Sequence, residues 1–224
     1  MIVADQFHPS TFVDAFRFIG DNPHLLLVET GKHLELALTA LAIALVLALP
    51  LGLWLGHKHR GLFLALSVSS VGRALPSLVL IAFATLTPLG IGFWNNTVAL
   101  TVLAVPSILT NAYFAISSVD ADVVEAARGM GLAERDILLH VELPLGLPLV
   151  MAGIRIAAIF VIATATIAAI AGGSGLGEII VDQASYGLAG VVGASLCVSA
   201  LTLLAAGLLS LMTRSSYRRP EPKA

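Results

Sequence analysis

The stretch LALTALAIALVLALPLGLWLG, from Leu36 to Gly56, carries no charged side chain. Crossing ~30 Å of hydrocarbon takes roughly 20 helical residues, so this run alone reaches across a bilayer. The rest of the chain has the same character. Of 224 residues, 58% are apolar and only 12% charged, with a mean hydropathy of +0.95. A water-soluble domain carries about 25% charged residues. Half that fraction cannot cover a surface facing water, and the sequence reads as a membrane protein. Lys plus Arg number 12 against 14 Asp plus Glu, a net charge of −2, which excludes a global basic field for nucleic acid. A single cysteine, Cys197, excludes a disulfide framework and a cysteine zinc site.

Four further runs have spanning length: Gly61 to Leu89, interrupted by Arg73; Thr97 to Val119; Leu145 to Gly172, with Arg155 near its start; and Gly187 to Thr213. Alanine and leucine dominate them, and small residues let helices approach closely in lipid, where packing drives association. Unbroken apolar runs exclude a β-barrel, whose strands alternate over ~10 residues. The expectation is an all-α, polytopic membrane helical bundle of about five transmembrane helices.

With five spans, the loops alternate in side. The HKHR stretch from His57 to Arg60, the loop from Asp120 to Pro144 and the tail after Thr213 fall together, and hold Lys58, Arg60, Arg128, Arg135, Arg214, Arg218, Arg219 and Lys223. The opposite side holds only Arg17 and Lys32. Cytoplasmic loops collect Lys and Arg, so the N-terminus is expected outside and the C-terminus in the cytoplasm. The first residues lack a basic region and carry Asp5, Asp14 and Asp21, so no cleavable signal peptide is expected. Phe12, Phe16 and Ile19 recur at helical spacing, which fits a short amphipathic helix on the outer interface and equally an exposed terminus.

The loop between the third and fourth spans reads as two short helices. Asp122 with Glu125 three residues on forms a capping-box pattern. Ala126 and Ala127 continue the helix, and Gly129 and Gly131 end it. A second segment, Ala133 to Leu143, carries Ile137, Leu138 and Val141 on one face, and Pro144 is expected to stop it. The paired alanines leave a smooth ridge that a partner's groove grips closely; the plainer alternative is a pair of ordinary capped loop helices.

These residues also carry a resemblance. Glu125-Ala126-Ala127, three residues, Gly131, nine residues, Val141, one residue, then Leu143-Pro144 resembles the EAA loop of binding-protein-dependent ABC importer permeases, with Val141 where the family usually has Ile. The text EAARGMGL, VELPLGLPLVMAGIRIA and GGSGLGEII, with Gly90-Ile-Gly92 and Asn111-Ala112-Tyr113, is similar to the osmoprotectant branch, the glycine betaine, choline and carnitine permeases. Two departures stand out: Phe93-Trp94-Asn95-Asn96 after the GIG turn, and Arg73 at the polar site before Pro76.

The resemblance implies a type I ABC importer (MetI-like) permease fold. It divides the chain into an extracytoplasmic N-terminal segment 1–32, a transmembrane permease domain 33–213 with its coupling loop at 120–144, and a cytoplasmic tail 214–224. It implies a transport subunit rather than an enzyme, in the cytoplasmic membrane, with three protein partners: a cytoplasmic ABC ATPase dimer, a second permease that is identical or paralogous, and an extracytoplasmic solute-binding protein. Membrane lipid surrounds it and nucleic acid is not a partner. Glu125, Ala126, Ala127, Gly129, Gly131, Leu143 and Pro144 are the implied ATPase-coupling residues. No G-x-x-x-x-G-K-[ST] phosphate loop occurs in the chain, so no cofactor is expected here, and ATP with Mg falls to the ATPase partner.

Intramembrane polar residues give the pathway candidates. Arg73 lies near mid-span, where an arginine costs ~2.5 to 3.5 kcal/mol on insertion scales and faces the bundle interior. Pro76 is placed to kink the helix beside it. Both are candidates for the translocation pathway, with Asn111 and Tyr113; the alternative for Arg73 is a structural hydrogen bond, and for Asn111 and Tyr113 interhelical bonding. Arg155 is placed to snorkel. The stretch from Gly172 to Gly177 is expected to form part of an outer gate or a tight re-entrant turn. Few aromatics line the spans for a cation–π cage, so high affinity for a quaternary ammonium is assigned to the binding protein. Rival readings are a permease for methionine or another small solute, and an ion-coupled carrier, against which stands the absence of Asp and Glu from the apolar runs. A membrane enzyme is a further class, but the six histidines make no HExxH pair, and no metal site is expected; His57 and His59 read as interfacial residues.

Overall fold

The computed structural model describes residues 10–74 and 76–216. It is 86% helix, and no strand occurs among the described residues. The elements are α1 (Ser10–Asp21), α2 (Pro23–His57), α3 (Leu62–Ala74), α4 (Ser77–Thr85), α5 (Phe93–Ser117), α6 (Ala121–Gly129), α7 (Glu134–Ile137), a π-helical segment (Leu138–Glu142), α8 (Leu143–Thr164), a 3-10 turn (Ile167–Ala171), α9 (Leu176–Val181) and α10 (Gln183–Ser216).

Among the described residues, four helical stretches are long and apolar enough to cross a bilayer: Pro23–His57, Phe93–Ser117, Glu134–Thr164 and Gln183–Met212. The run from Gly61 to Leu89 is not one helix. It is divided into α3 and α4 at Pro76, whose φ of −64° and ψ of 128° are extended. Proline lacks the N–H that an interior helical position donates, and the residue before it is pushed out of the helical region. At 13 and 9 residues, neither piece alone reaches the ~20 that a span needs. Other boundaries also move. The first span begins at Pro23, where proline suits the first turn of a helix, so residues 23–32 are helical and continuous with the apolar run. The fourth gives way to the 3-10 turn after Thr164, and the fifth contains a non-helical break at Gly187. α1 occupies the expected amphipathic stretch, with Phe12 and Phe16 exposed and Thr11 and Ala15 buried; Ile19 packs instead against a core cluster.

The chain forms two compact units. One contains the described residues of Met1–Ala40, Pro76–Leu100 and Phe160–Leu204; the other contains those of Leu41–Leu75, Thr101–Ile159 and Ala205–Ala224.

In the first unit, Leu26, Leu176, Ile179, Ala194 and Val198 form a core flanked by Phe18, Tyr186 and Cys197. Phe18 and Tyr186 meet edge to face at 6.4 Å, the arrangement that aromatic quadrupoles favour. A second cluster joins Ile81, Ala84, Ala99 and Ala171.

In the second unit α5 is the central helix. Leu103, Ala104, Ile108, Leu109, Ala112, Ala115 and Ile116 are all buried, and glycines of neighbouring helices lie against its backbone. A Cβ on Gly52 would stand 2.7 Å from the Leu109 carbonyl oxygen, and one on Gly146 would stand 2.4 Å from that of Ala115. Small residues here let backbones touch, as the composition of the spans implied. On α2, Ala44, Ala48, Gly52 and Leu55 are buried, while Val46, Leu47, Leu51 and Trp54 are exposed. This is the 3.6-residue division between a protein-facing and a lipid-facing side.

Candidate functional site

The segment between α5 and α8 lies within the second unit, and its boundaries are set locally. Asp120, at φ −57° and ψ 127°, caps α6 by accepting from the Asp122 amide at 2.9 Å. The expected pairing of Asp122 with Glu125 is therefore corrected. The cap lies two residues earlier, because Asp120 is the last non-helical residue and its short carboxylate reaches the orphan donor of the first turn. At the other end Met130 is still helical and Gly131 turns left-handed, at φ +85°. The Gly131 amide donates to the Arg128 carbonyl at 3.0 Å and the Leu132 amide to the Ala127 carbonyl at 3.3 Å. Those two bonds define a Schellman cap, which asks for glycine at this position. Gly131 ends the helix as expected, whereas Gly129 is its last helical residue.

Side chains of α6 divide sharply. Glu125 and Ala126 are exposed, Val123 and Met130 are 42% and 74% exposed, and Ala127 is buried at 2%. Val123, Ala126 and Met130 recur at i, i+3 and i+7, so they share one open face. The two alanines therefore do not form one ridge: Ala126 is on the surface and Ala127 points inward. Arg128 donates to Glu134 through Nε at 2.8 Å and Nη2 at 3.2 Å, a bidentate grip that braces α6 against α7. The same carboxylate, chiefly through its hydrogen bond, raises the Arg128 guanidinium above its ordinary value.

Pro144 does not stop the second loop helix. Helix runs unbroken from Glu134 to Thr164, but it widens over Leu138–Glu142, where the Leu143 amide bonds the Leu138 carbonyl five residues back. A proline ring collides with the carbonyl four residues earlier in a regular α-helix. The π turn changes that spacing just ahead of the ring, so the helix passes through. Ile137 is fully buried, as expected of its face, while Leu138 and Val141 are half-buried.

The contact at the end of α2 joins residues 85 positions apart. His57 is not a free interfacial residue. Its Nδ1 lies 2.6 Å from Oε2 of Glu142, with side chains only 5% and 2% exposed. The one legible signal was a carboxylate, Glu142, directly before the apolar Leu143-Pro144.

In the first unit a separate polar cluster holds the glycine-rich turn. The Gly175 amide donates to Glu29 Oε2 at 2.9 Å, and Lys32 Nζ donates to Glu29 Oε1 at 2.7 Å. Nε2 of His33 is 2.9 Å from the Ile162 carbonyl. Gly175 has φ +114°, and a Cβ there would stand 3.0 Å from His33. Leu176 is fully buried. Asn96, in the segment that departs from the resembled pattern, donates to the carbonyls of Ala168 and Ala171 at 3.3 and 3.5 Å. Glu29, Lys32 and His33 were missed because they precede the apolar run, although their i, i+3 and i+4 spacing placed them together.

Arg73 lies in α3, but its side chain falls outside the described residues, as does Leu75 next to Pro76. Asn111 donates to the Ser107 carbonyl at 2.8 Å within its own helix. Tyr113 is 4% exposed and packs with Leu55 and Ala65. Arg218, Arg219 and Lys223 of the tail also fall outside the described residues. Among the described residues, no group of three His, Cys, Asp or Glu is placed to hold a metal ion.

The chain has the fold of type I ABC importer permeases. The inward-facing MetNI methionine ABC transporter superimposes with a TM-score of 0.75 over 88% of this chain and 99% of that one, at 22% identity. Residues 48–223 match the family described as binding-protein-dependent transport system inner membrane component, and the chain belongs to that family. The carnitine transport permease protein OpuCB of Listeria monocytogenes is 34% identical over 73% of this chain and 74% of its own length. The glycine betaine/carnitine/choline transport system permease protein OpuCB of Bacillus subtilis (strain 168) is 33% identical over 73% and 75%. The chain is therefore an inner-membrane transport subunit, not an enzyme, and works with an ATPase and a solute-binding protein.

Proposed function

We propose that this chain is the permease of an ATP-driven importer for a quaternary-ammonium compatible solute of the glycine betaine, choline or carnitine kind. The observation that carries this is the agreement of the relatives: those at 34% and 33% identity are transport permeases for carnitine and for glycine betaine, carnitine and choline. The likeness to a methionine transporter, at 22% identity, speaks for the fold and not for the solute.

In this reading α6 is the part that the ATPase moves. Val123, Ala126 and Met130 present a small apolar face, Glu125 a charge beside it, and Gly131 the turn that fixes the end of the helix. ATP and Mg belong to the ATPase, which acts as a dimer on two permeases. The Lys and Arg of the 57–60 and 120–144 segments lie on the cytoplasmic side with the tail, and the N-terminus lies outside, where the exposed Phe12 and Phe16 rest in the lipid interface. Arg73 and Pro76, at the break between α3 and α4, and Asn111 are the pathway candidates on this reading. Tyr113, being buried, contributes packing.

Reconstitution with the ATPase and binding protein tests the reading. ATP-dependent uptake of radiolabelled betaine, choline or carnitine is expected, and none of methionine. Methionine uptake without any quaternary amine would overturn the substrate assignment. Retention of the ATPase by a Glu125→Lys, Gly131→Val variant as firmly as by wild type would overturn the role of α6.

A further inference from the structure

Arg128, Glu134, His57 and Glu142, from four segments, meet one after another within the second unit. Arg128 of α6 grips Glu134 of α7 through two bonds, at 2.8 and 3.2 Å. Oε2 of Glu134 also lies 3.0 Å from Nε2 of His57, the last residue of α2, off the line of a hydrogen bond. Nδ1 of the same ring is 2.6 Å from Oε2 of Glu142 in the π segment. The positive charge of Lys58 acts on Glu134, and the negative charges of Glu125 and Glu142 act on Arg128.

The bond between His57 and Glu142 joins two side chains that are only 5% and 2% exposed, where a buried polar group left without its partner is costly. Glu134, which stands beside the second ring nitrogen of His57 and also holds Arg128, couples this contact to α6.

We propose that His57 is a positioning residue for energy coupling: it ties the α6–α7 segment to the end of α2, so that a displacement of α6 is passed to the first span. The inference rests on the reading of α6 as the ATPase contact and adds the residue through which its movement travels.

The test uses the whole importer in proteoliposomes and reads solute moved per ATP hydrolysed. His57→Leu is expected to keep its ATPase on purification yet to move at least about fivefold less solute per ATP. His57→Asn, whose side-chain amide still donates a hydrogen bond, is expected to restore part of the coupling. A wild-type ratio in His57→Leu would overturn the proposal, as would a His57→Asn variant that couples no better than His57→Leu. If His57→Leu does not accumulate in the membrane, Glu142→Ala reads the same tie from its other side, and a normal ratio there also overturns it. ATPase-independent uptake by the wild-type importer would instead defeat the reading of α6.

Discussion

Replacing Gly131 separates backbone strain from side-chain collision. A Cβ at this position meets nothing within 4 Å, so steric exclusion plays no part. What a substitution must overcome is φ +85°, which costs an ordinary L residue roughly 1–2 kcal/mol, more if it is β-branched and less for asparagine. The cost falls on the two bonds that close the Schellman cap, Gly131 to Arg128 and Leu132 to Ala127. A penalty of about 1–2 kcal/mol lowers the population of the closed cap by a factor of roughly 5–30. Because the cap fixes where α6 ends, ATP-driven uptake should fall in the order Gly131→Asn, Gly131→Ala, Gly131→Val, with the asparagine variant nearest to wild type. Uptake is measured in proteoliposomes with the ATPase and binding protein, normalised to the permease inserted. Full uptake by Gly131→Val at normal expression would refute the reasoning, and so would an equal loss in all three variants, since strain alone ranks them.

Removing the α6 cap with Asp120→Ala should cost about 0.5–2 kcal/mol, visible as faster hydrogen exchange at the amides of residues 121–124. Gly175→Ala should lower the melting temperature of the detergent-solubilised permease more than Gly20→Ala, because only the former meets a neighbour, His33 at 3.0 Å, and a positive φ; equal shifts would discount the close approach. Glu29→Gln should loosen the same turn, read as faster exchange at the Gly175 amide, which the carboxylate now accepts at 2.9 Å. The Asp182 carboxyl is held below its ordinary value by its Ser185 hydrogen bonds. A depressed carboxyl stabilises above its unfolded pKa and loses that contribution as pH falls through the folded value. Exchange at the start of α10 should therefore quicken below about pH 4 in wild type and show no such step in Asp182→Asn.

What the sequence disclosed, and what it concealed, follows from the range of the interactions concerned. Charge-free runs of spanning length and the Glu125 to Pro144 pattern are local, and both led to the right architecture and family. The glycine-mediated contacts of α5 were implied by composition, though their partners were not. His57 and Glu142 are 85 residues apart, and no periodicity connects them; each looked like an ordinary residue at a helix end. Pro76 and Pro144 show a second kind of limit. Both carry the same chemistry, yet one divides a helix and the other is passed, as Pro50, Pro106 and Pro148 are within α2, α5 and α8. Asp120 and Asp122 were equally plausible caps by type, and the extended backbone at Asp120 alone decides between them.

The π turn from Leu138 to Glu142 also holds a spare residue. It accommodates about one residue more than a regular helix would over the same rise, whereas each residue of a regular helix turns it by about 100°. Deleting one residue of the turn leaves the number that a regular helix needs, so α8 keeps its face and Gly146 and Gly153 stay on the α5 backbone they now touch. A deletion inside α8 has no such surplus to absorb it and swings that face away, so single deletions should be tolerated far better at these five positions than a turn or two later.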